Sequence, residues 1–169
     1  MVSLIQSNYT IFGAGIAIPG TGISLQNRGA NFTLNAESDN CLAGGKKSYH
    51  TIIPGFLLKN GAAVGPFGVM GAFMQPQGQV ELLVNTLDYH MNPQEALDAP
   101  RIQWVGGKRL ELECEAGDKI ADELRAMGHE VSIVDDRILM GRGQIIWRSG
   151  NGVYIAGTEP RCDGTVAIW

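Results

Sequence analysis

Apolar and polar positions alternate or run apolar over residues 2–8 and 22–28, with Gly13, Gly15, Pro19, Gly20 and Gly22 as punctuation. Both stretches predict strands. Residues 33–48 are polar and carry Gly44-Gly45-Lys46-Lys47, which predicts a loop. Segments 51–58 and 62–70 flank Asn60-Gly61, a pair suited to the positive φ angles of a tight hairpin turn. From 79 to 90 the period changes. Val80, Leu83, Val84 and Leu87 fall at i, i+3, i+4 and i+7, one face of an amphipathic helix. Asn92-Pro93 supplies an N-cap and a proline in the first helical position for a short helix ending before Pro100. Residues 101–114 read as a hairpin across Gly106-Gly107. Residues 117–127 read as a helix with Ile120, Leu124 and Met127 on one face and Gly128 as its C-cap. Strands return at 131–134, 143–148, 152–156 and 164–168. Strands, then helices, then strands predict an α+β layered fold with helices packed on antiparallel sheet. No repeat or linker interrupts the pattern, so 1–169 is expected to be a single domain.

Composition narrows this further. The chain has 169 residues, 44% hydrophobic and 18% charged, which suits a globular domain with a real core. So low a charge implies that part of the surface is covered, and another subunit would do that. Net charge is −4 and the basic residues are scattered, so nucleic acid is not an expected partner. No apolar run nears the roughly 20 residues that cross a bilayer, and no signal peptide opens the chain. Met1 leads at once into a strand-like segment, which suggests that the natural chain extends upstream. Cys41, Cys114 and Cys162 are far apart and odd in number, so they are expected to be free thiols and no metal is expected.

The candidate chemistry is sparse. Gly13-Ala14-Gly15 lacks the third glycine and helix of a dinucleotide fingerprint, and Gly141-Arg142-Gly143 precedes a strand, so neither is a phosphate loop. His90 and His129 end helices, where a structural or surface role is expected. No Gly-x-Ser-x-Gly signature accompanies His50 or any other histidine. Gly71-Ala72 lies where a strand gives way to a helix. It fits a close-packed turn, and it also fits a pair of N–H groups aimed at a developing oxyanion. No credible nucleophile is present.

Several segments, in order, resemble the C-terminal, small-subunit half of the gamma-glutamyltranspeptidase family. They are Phe12-Gly13, Pro19-Gly20-Thr21-Gly22-Ile23, Leu25-Gln26-Asn27, residues 46–54, Lys59-Asn60-Gly61, Gly68-Val69-Met70-Gly71-Ala72, Asn85, Asp98-Ala99-Pro100-Arg101 and Gly157-Thr158-Glu159-Pro160-Arg161. Together they cover nearly the whole chain. The resemblance implies an N-terminal nucleophile hydrolase with a four-layer αββα core, here the small-subunit part without its first strand. In such enzymes the precursor cleaves itself, and the freed threonine attacks a gamma-glutamyl carbonyl with its own amine as base.

Position by position, the resemblance places Ser7 where a second threonine hydrogen-bonds the new amine. It places Gly71 and Ala72 on the oxyanion pair, and His50 and Thr51 on a serine pair that binds the substrate carboxylate. Arg28 and Asn31 stand on the glutamine and aspartate that bind the glutamyl amino group. Asparagine gives up the charge that attracts an ammonium, and arginine repels one, so an acyl group lacking the amine, of glutaryl type, also fits. The resemblance implies no cofactor. It implies as partners the large subunit with the threonine strand and a small amide or peptide substrate. The chain alone is expected to be inactive and to form an oligomer through an uncovered sheet edge. A cephalosporin or glutaryl acylase, and a non-catalytic assembly domain, remain as alternatives. Periplasmic and cytoplasmic locations are equally compatible.

Overall fold

A computed structural model describes residues 1–168, which part into two compact units. One unit comprises 1–3 and 53–169, and the other comprises 4–52. Among the described residues the larger unit carries all the strands and α-helices. Strands β1 (Gly55–Lys59) and β2 (Ala62–Met70) form the predicted hairpin. Its turn residues Asn60 and Gly61 both take positive φ, 53° and 79°, the twist that matches two strands. Helix α1 (Met74–Leu87) follows β2, and α2 (Pro93–Asp98) follows α1. Strands β3 (Ile102–Gly106) and β4 (Arg109–Glu113), helix α3 (Asp118–Ala126) and strands β5 (Glu130–Val134), β6 (Arg142–Arg148) and β7 (Tyr154–Thr158) complete it.

The strands make two sheets, ordered β1-β2-β6-β7 and β3-β4-β5. The first is antiparallel throughout. In the second, β4 and β5 run parallel, which departs from the expected antiparallel sheet. The reason lies in the connection. A hairpin returns antiparallel, but α3 between β4 and β5 is a crossover that brings the chain back in the same direction. Phe67, Val69, Ile145 and Trp147 from the first sheet pack with Leu82 of α1 and Ala96 and Leu97 of α2 to form the core. The Phe67 and Trp147 rings lie 5.8 Å apart and tilted by 56°, a favourable aromatic geometry.

Two further expectations are corrected here. Helix α1 begins at Met74, not at 79, because Pro76 lies in the first turn, where its missing N–H costs nothing. Its buried face is Met74, Gln75, Gly78, Gln79 and Leu82, whereas Val80, Val84 and Leu87 of the predicted apolar stripe stay exposed. The segments 2–8 and 164–168 join no sheet. Alternation is present over 2–7, with Ser3, Ile5 and Ser7 half-buried between exposed neighbours, but a strand also needs a ladder partner.

The 4–52 unit is built from turns. A loose hairpin holds 14–25 through Ala14 N–H to Leu25 O, Leu25 N–H to Ile16 O and Ile18 N–H to Ile23 O. Only a bridge between Ala17 and Ser24 forms where strand 22–28 was expected. One 3-10 turn covers Arg28–Asn31.

Candidate active site

The 53–169 unit carries the turn expected at Gly71-Ala72. Gly71 (φ 154°) and Ala72 (φ 48°) link β2 to α1. A Cβ on Gly71 would come within 2.8 Å of Gly141 Cα, so only glycine fits. Ala72 holds a left-handed conformation that costs an L-residue about 1 kcal/mol. Strain of this kind collects at functional turns. The carbonyls of both residues accept helix-entry bonds, Gly71 O from Met74 N at 2.8 Å and Ala72 O from Gln75 N at 3.2 Å. Among the described residues neither of their own N–H groups finds a protein acceptor. Two adjacent unspent donors opening a helix are the chemistry an oxyanion needs.

The 4–52 unit gathers most of the other predicted residues around Arg28. Its Nε donates to Thr51 Oγ1 at 2.7 Å. Its Nη2 donates to Ser7 Oγ at 2.7 Å and to Ser7 O at 2.9 Å. All three acceptors are neutral, and among the described residues no carboxylate pairs with this guanidinium. Nη1 is the nitrogen left over. The Ser7 hydroxyl oxygen accepts from Arg28 and also from Tyr9 N at 3.2 Å, so its own proton is free to be donated outward.

Asn31 forms the second half of this cluster. Its Oδ1 accepts from the Tyr9 hydroxyl at 2.6 Å, and its Nδ2 is buried without a partner. Tyr9 was missed by sequence reasoning. Its one distinctive trait is a positive φ of 77°, which the sequence does not announce in an aromatic residue. His50 is exposed and makes no side-chain hydrogen bond among the described residues, so it stands apart from the Arg28 cluster.

Behind the Gly71 turn, in its own unit, lies a buried ion network. Arg101, which is 2% exposed, donates Nη2 to Glu159 Oε2 at 2.7 Å and Nη1 to the carbonyls of Met140 (2.9 Å) and Gly141 (2.8 Å). Arg161 pairs with Glu113 and with Glu159 Oε1, and donates to Leu97 O at 2.8 Å and Ala99 O at 3.1 Å. Burial pushes the Glu113 carboxyl up. The hydrogen bonds from Arg161 and the Arg101 N–H outweigh that and hold it below its ordinary range. Burial lowers Arg101 despite the nearby charge of Glu159. The family resemblance gives the motifs ending in Arg101 and Arg161 no role, and no spacing in the chain foretells that they meet. The three cysteines are free thiols, and among the described residues no cluster of His, Cys, Asp or Glu could hold a metal.

The gamma-glutamyltranspeptidase family model matches residues 1–169. A glutathione hydrolase-like proenzyme of Bacillus subtilis is 37% identical over 171 residues, covering 96% of this chain and 32% of the relative. An oxamate amidohydrolase proenzyme of Klebsiella pneumoniae is 36% identical, covering 98% and 33%. The crystal structure of a cephalosporin acylase from Bacillus halodurans is 56% identical with a TM-score of 0.92, covering 98% of this chain and 31% of that one. The chain thus spans about a third of the length of the relatives it matches. On these matches and on its α+β fold, the chain belongs to the gamma-glutamyltranspeptidase family of N-terminal nucleophile hydrolases.

Proposed function

We propose that residues 1–169 form the acyl-binding and oxyanion-holding portion of an amidohydrolase. Its substrate is an amide whose acyl chain ends in a carboxylate and carries no ammonium. The observation that carries this reading is Arg28, a half-buried guanidinium fixed by three neutral oxygens with no counter-ion among the described residues. A pre-positioned cation of this kind favours a carboxylate and opposes an ammonium. Asn31 adds to the preference, because the Tyr9 hydroxyl occupies its oxygen and leaves its N–H donors for an oxygen-bearing ligand.

The nucleophile is a threonine outside residues 1–169. No candidate lies within them, and the similar proenzymes are about three times as long. In the reaction the threonine hydroxyl attacks the amide carbonyl and passes its proton to the threonine's own amine. The Gly71 and Ala72 N–H groups stabilise the resulting oxyanion. The C–N bond then breaks, the leaving amine takes the proton, and water hydrolyses the ester. Ser7 stands beside the catalytic amine, whose lone pair stays free for the threonine proton, while Thr51 holds Arg28 and His50 contacts the substrate.

A gamma-glutamyl substrate is the second reading, favoured by the likeness to a glutathione hydrolase-like protein. The two differ by one ammonium group. Full-length, processed enzyme is assayed with glutaryl- and gamma-glutamyl-p-nitroanilide. The proposal expects kcat/KM at least about tenfold higher for the glutaryl compound, roughly one unfavourable charge contact. A preference for gamma-glutamyl would replace it with the second reading.

A further inference from the structure

The buried ion network lies outside every role assigned so far, and its contacts lead to one place. Arg101 Nη1 holds the carbonyls of Met140 and Gly141 together at 2.9 and 2.8 Å. Glu159 Oε2, paired with Arg101 Nη2, also accepts from Gly143 N at 2.6 Å. The segment from Met140 to Gly143 is thereby clamped on both its carbonyls and its N–H. That segment is the floor under the oxyanion turn. Met70 pairs with Arg142 and Val69 with Gly143 in the β2–β6 ladder, and Gly141 Cα meets Gly71 so closely that no Cβ fits between them. Gly141 is itself confined. It has φ 80°, and an added Cβ would lie 2.6 Å from Val69 Cγ1 and 3.1 Å from Met70 O.

We infer that Arg101 is a positioning residue for the oxyanion hole, acting through the Met140–Gly141 carbonyls on the Gly71–Ala72 N–H pair. This rests on the assignment of that pair to the oxyanion in the proposed function. The clamp acts by preorganisation. Backbone donors stabilise a developing charge only when held where the oxyanion will be, and a shift of a few tenths of an ångström weakens both bonds. A planar guanidinium can bridge two carbonyls and a carboxylate at once. An ammonium on a flexible stem keeps the ion pair but not the bridge.

The test uses full-length, processed enzyme and the variant Arg101→Lys, which preserves the charge paired with Glu159. Steady-state kinetics with glutaryl-p-nitroanilide are measured beside the affinities of two ligands. 4-Boronobutanoic acid forms a tetrahedral adduct that fills the oxyanion position, and glutarate, the product, does not. The expected result is a fall in kcat of about 30-fold, with KM within about threefold. Affinity for the boronate should fall by the same factor, with glutarate affinity unchanged. An unaltered kcat, or boronate and glutarate affinities falling together as in general loosening, overturns the inference. If Arg101→Lys does not accumulate as folded enzyme, the same comparison is made on Glu159→Gln, which keeps shape and acceptor. There a selective loss of about threefold to tenfold in boronate affinity supports the clamp, and none refutes it. A structure of the wild-type boronate adduct separates the two levels. An adduct oxygen away from Gly71 N and Ala72 N ends the oxyanion assignment itself, whereas an oxygen at the turn with unaffected variants ends the clamp alone.

Discussion

Glu81 is one buried group that ties the stability of the unit to pH. Its Oε1 accepts from Ile102 N at 3.2 Å, and its Oε2 is buried without a partner. Burial raises its pKa from 4.5 to about 7, against the opposing pull of the Ile102 N–H and of Arg101. The folded state therefore holds a proton that the unfolded chain releases between those values. Stability should be greatest below about pH 4.5 for this group and decline as pH rises through about 7, by on the order of 2 kcal/mol. Glu81→Gln mimics the protonated form and should flatten that slope. Urea midpoints at about pH 5 and pH 8 check this, and a variant with the wild-type slope would place the pH dependence elsewhere. At Gly71 a methyl group has nowhere to go. Gly71→Ala should lower kcat about 100-fold or more in the processed enzyme, with folding retained if Gly141 can shift. Steady-state kinetics beside a thermal melt read the two effects apart.

Among the elements, α1 follows the Gly71–Ala72 turn and α2 offers its Leu97 carbonyl to Arg161. Helix α2 is closed by a capping box. Asn92 accepts from Gln94 N and Glu95 N, and Glu95 returns a bond to Asn92 N. Asn92→Ala should cost about 1 kcal/mol in chemical denaturation. Leu82, 1% exposed where α1 meets the sheet, should cost about 3 kcal/mol on truncation to alanine. The α2 cap, the Asn60-Gly61 hairpin and the Gly128 end of α3 were all legible, because each depends on a residue type whose backbone preference is local. The face of α1 was not. Val80, Val84 and Leu87 satisfy the helical period, yet the helix buries its glycine and glutamine side, where Gln79 Nε2 donates to Ile53 O at 2.5 Å. Periodicity counts apolar positions and cannot say which neighbour a face meets. The same limit hid the Arg101–Glu159–Arg161–Glu113 network, whose partners are up to 58 residues apart. It also hid Tyr9, whose value lies in a backbone angle. The family resemblance names Arg28, Ser7 and Thr51 as candidates, and their mutual bonding was not legible in the sequence.

On the scale of the whole molecule, exposed apolar surface is abundant. Val2, Leu4, Ile11, Phe12, Leu34 and Ile168 each remain more than three-quarters exposed. Within the 53–169 unit and its first residues, a groove of about 760 Å³ is lined by Met1, Val2, Pro66, Ile146, Tyr154 and Ile168, among others. Exposed apolar surface of this kind is a general mark of interaction faces. Residues 1–169 expressed alone should self-associate and show no amidase activity. Light scattering that reports a monomer at high concentration, or turnover by the isolated chain, would contradict that. Among the described residues no helix is long and apolar enough to cross a membrane.

We propose that charge at Arg28 and Asn31 selects the acyl group. The most direct measurement is kcat/KM for glutaryl- and gamma-glutamyl-p-nitroanilide in full-length wild-type enzyme and in the Arg28→Gln, Asn31→Asp double variant. The account predicts that the ratio inverts, with gamma-glutamyl turnover rising as glutaryl turnover falls. A double variant that loses activity on both substrates in proportion, with the ratio unchanged, would contradict it.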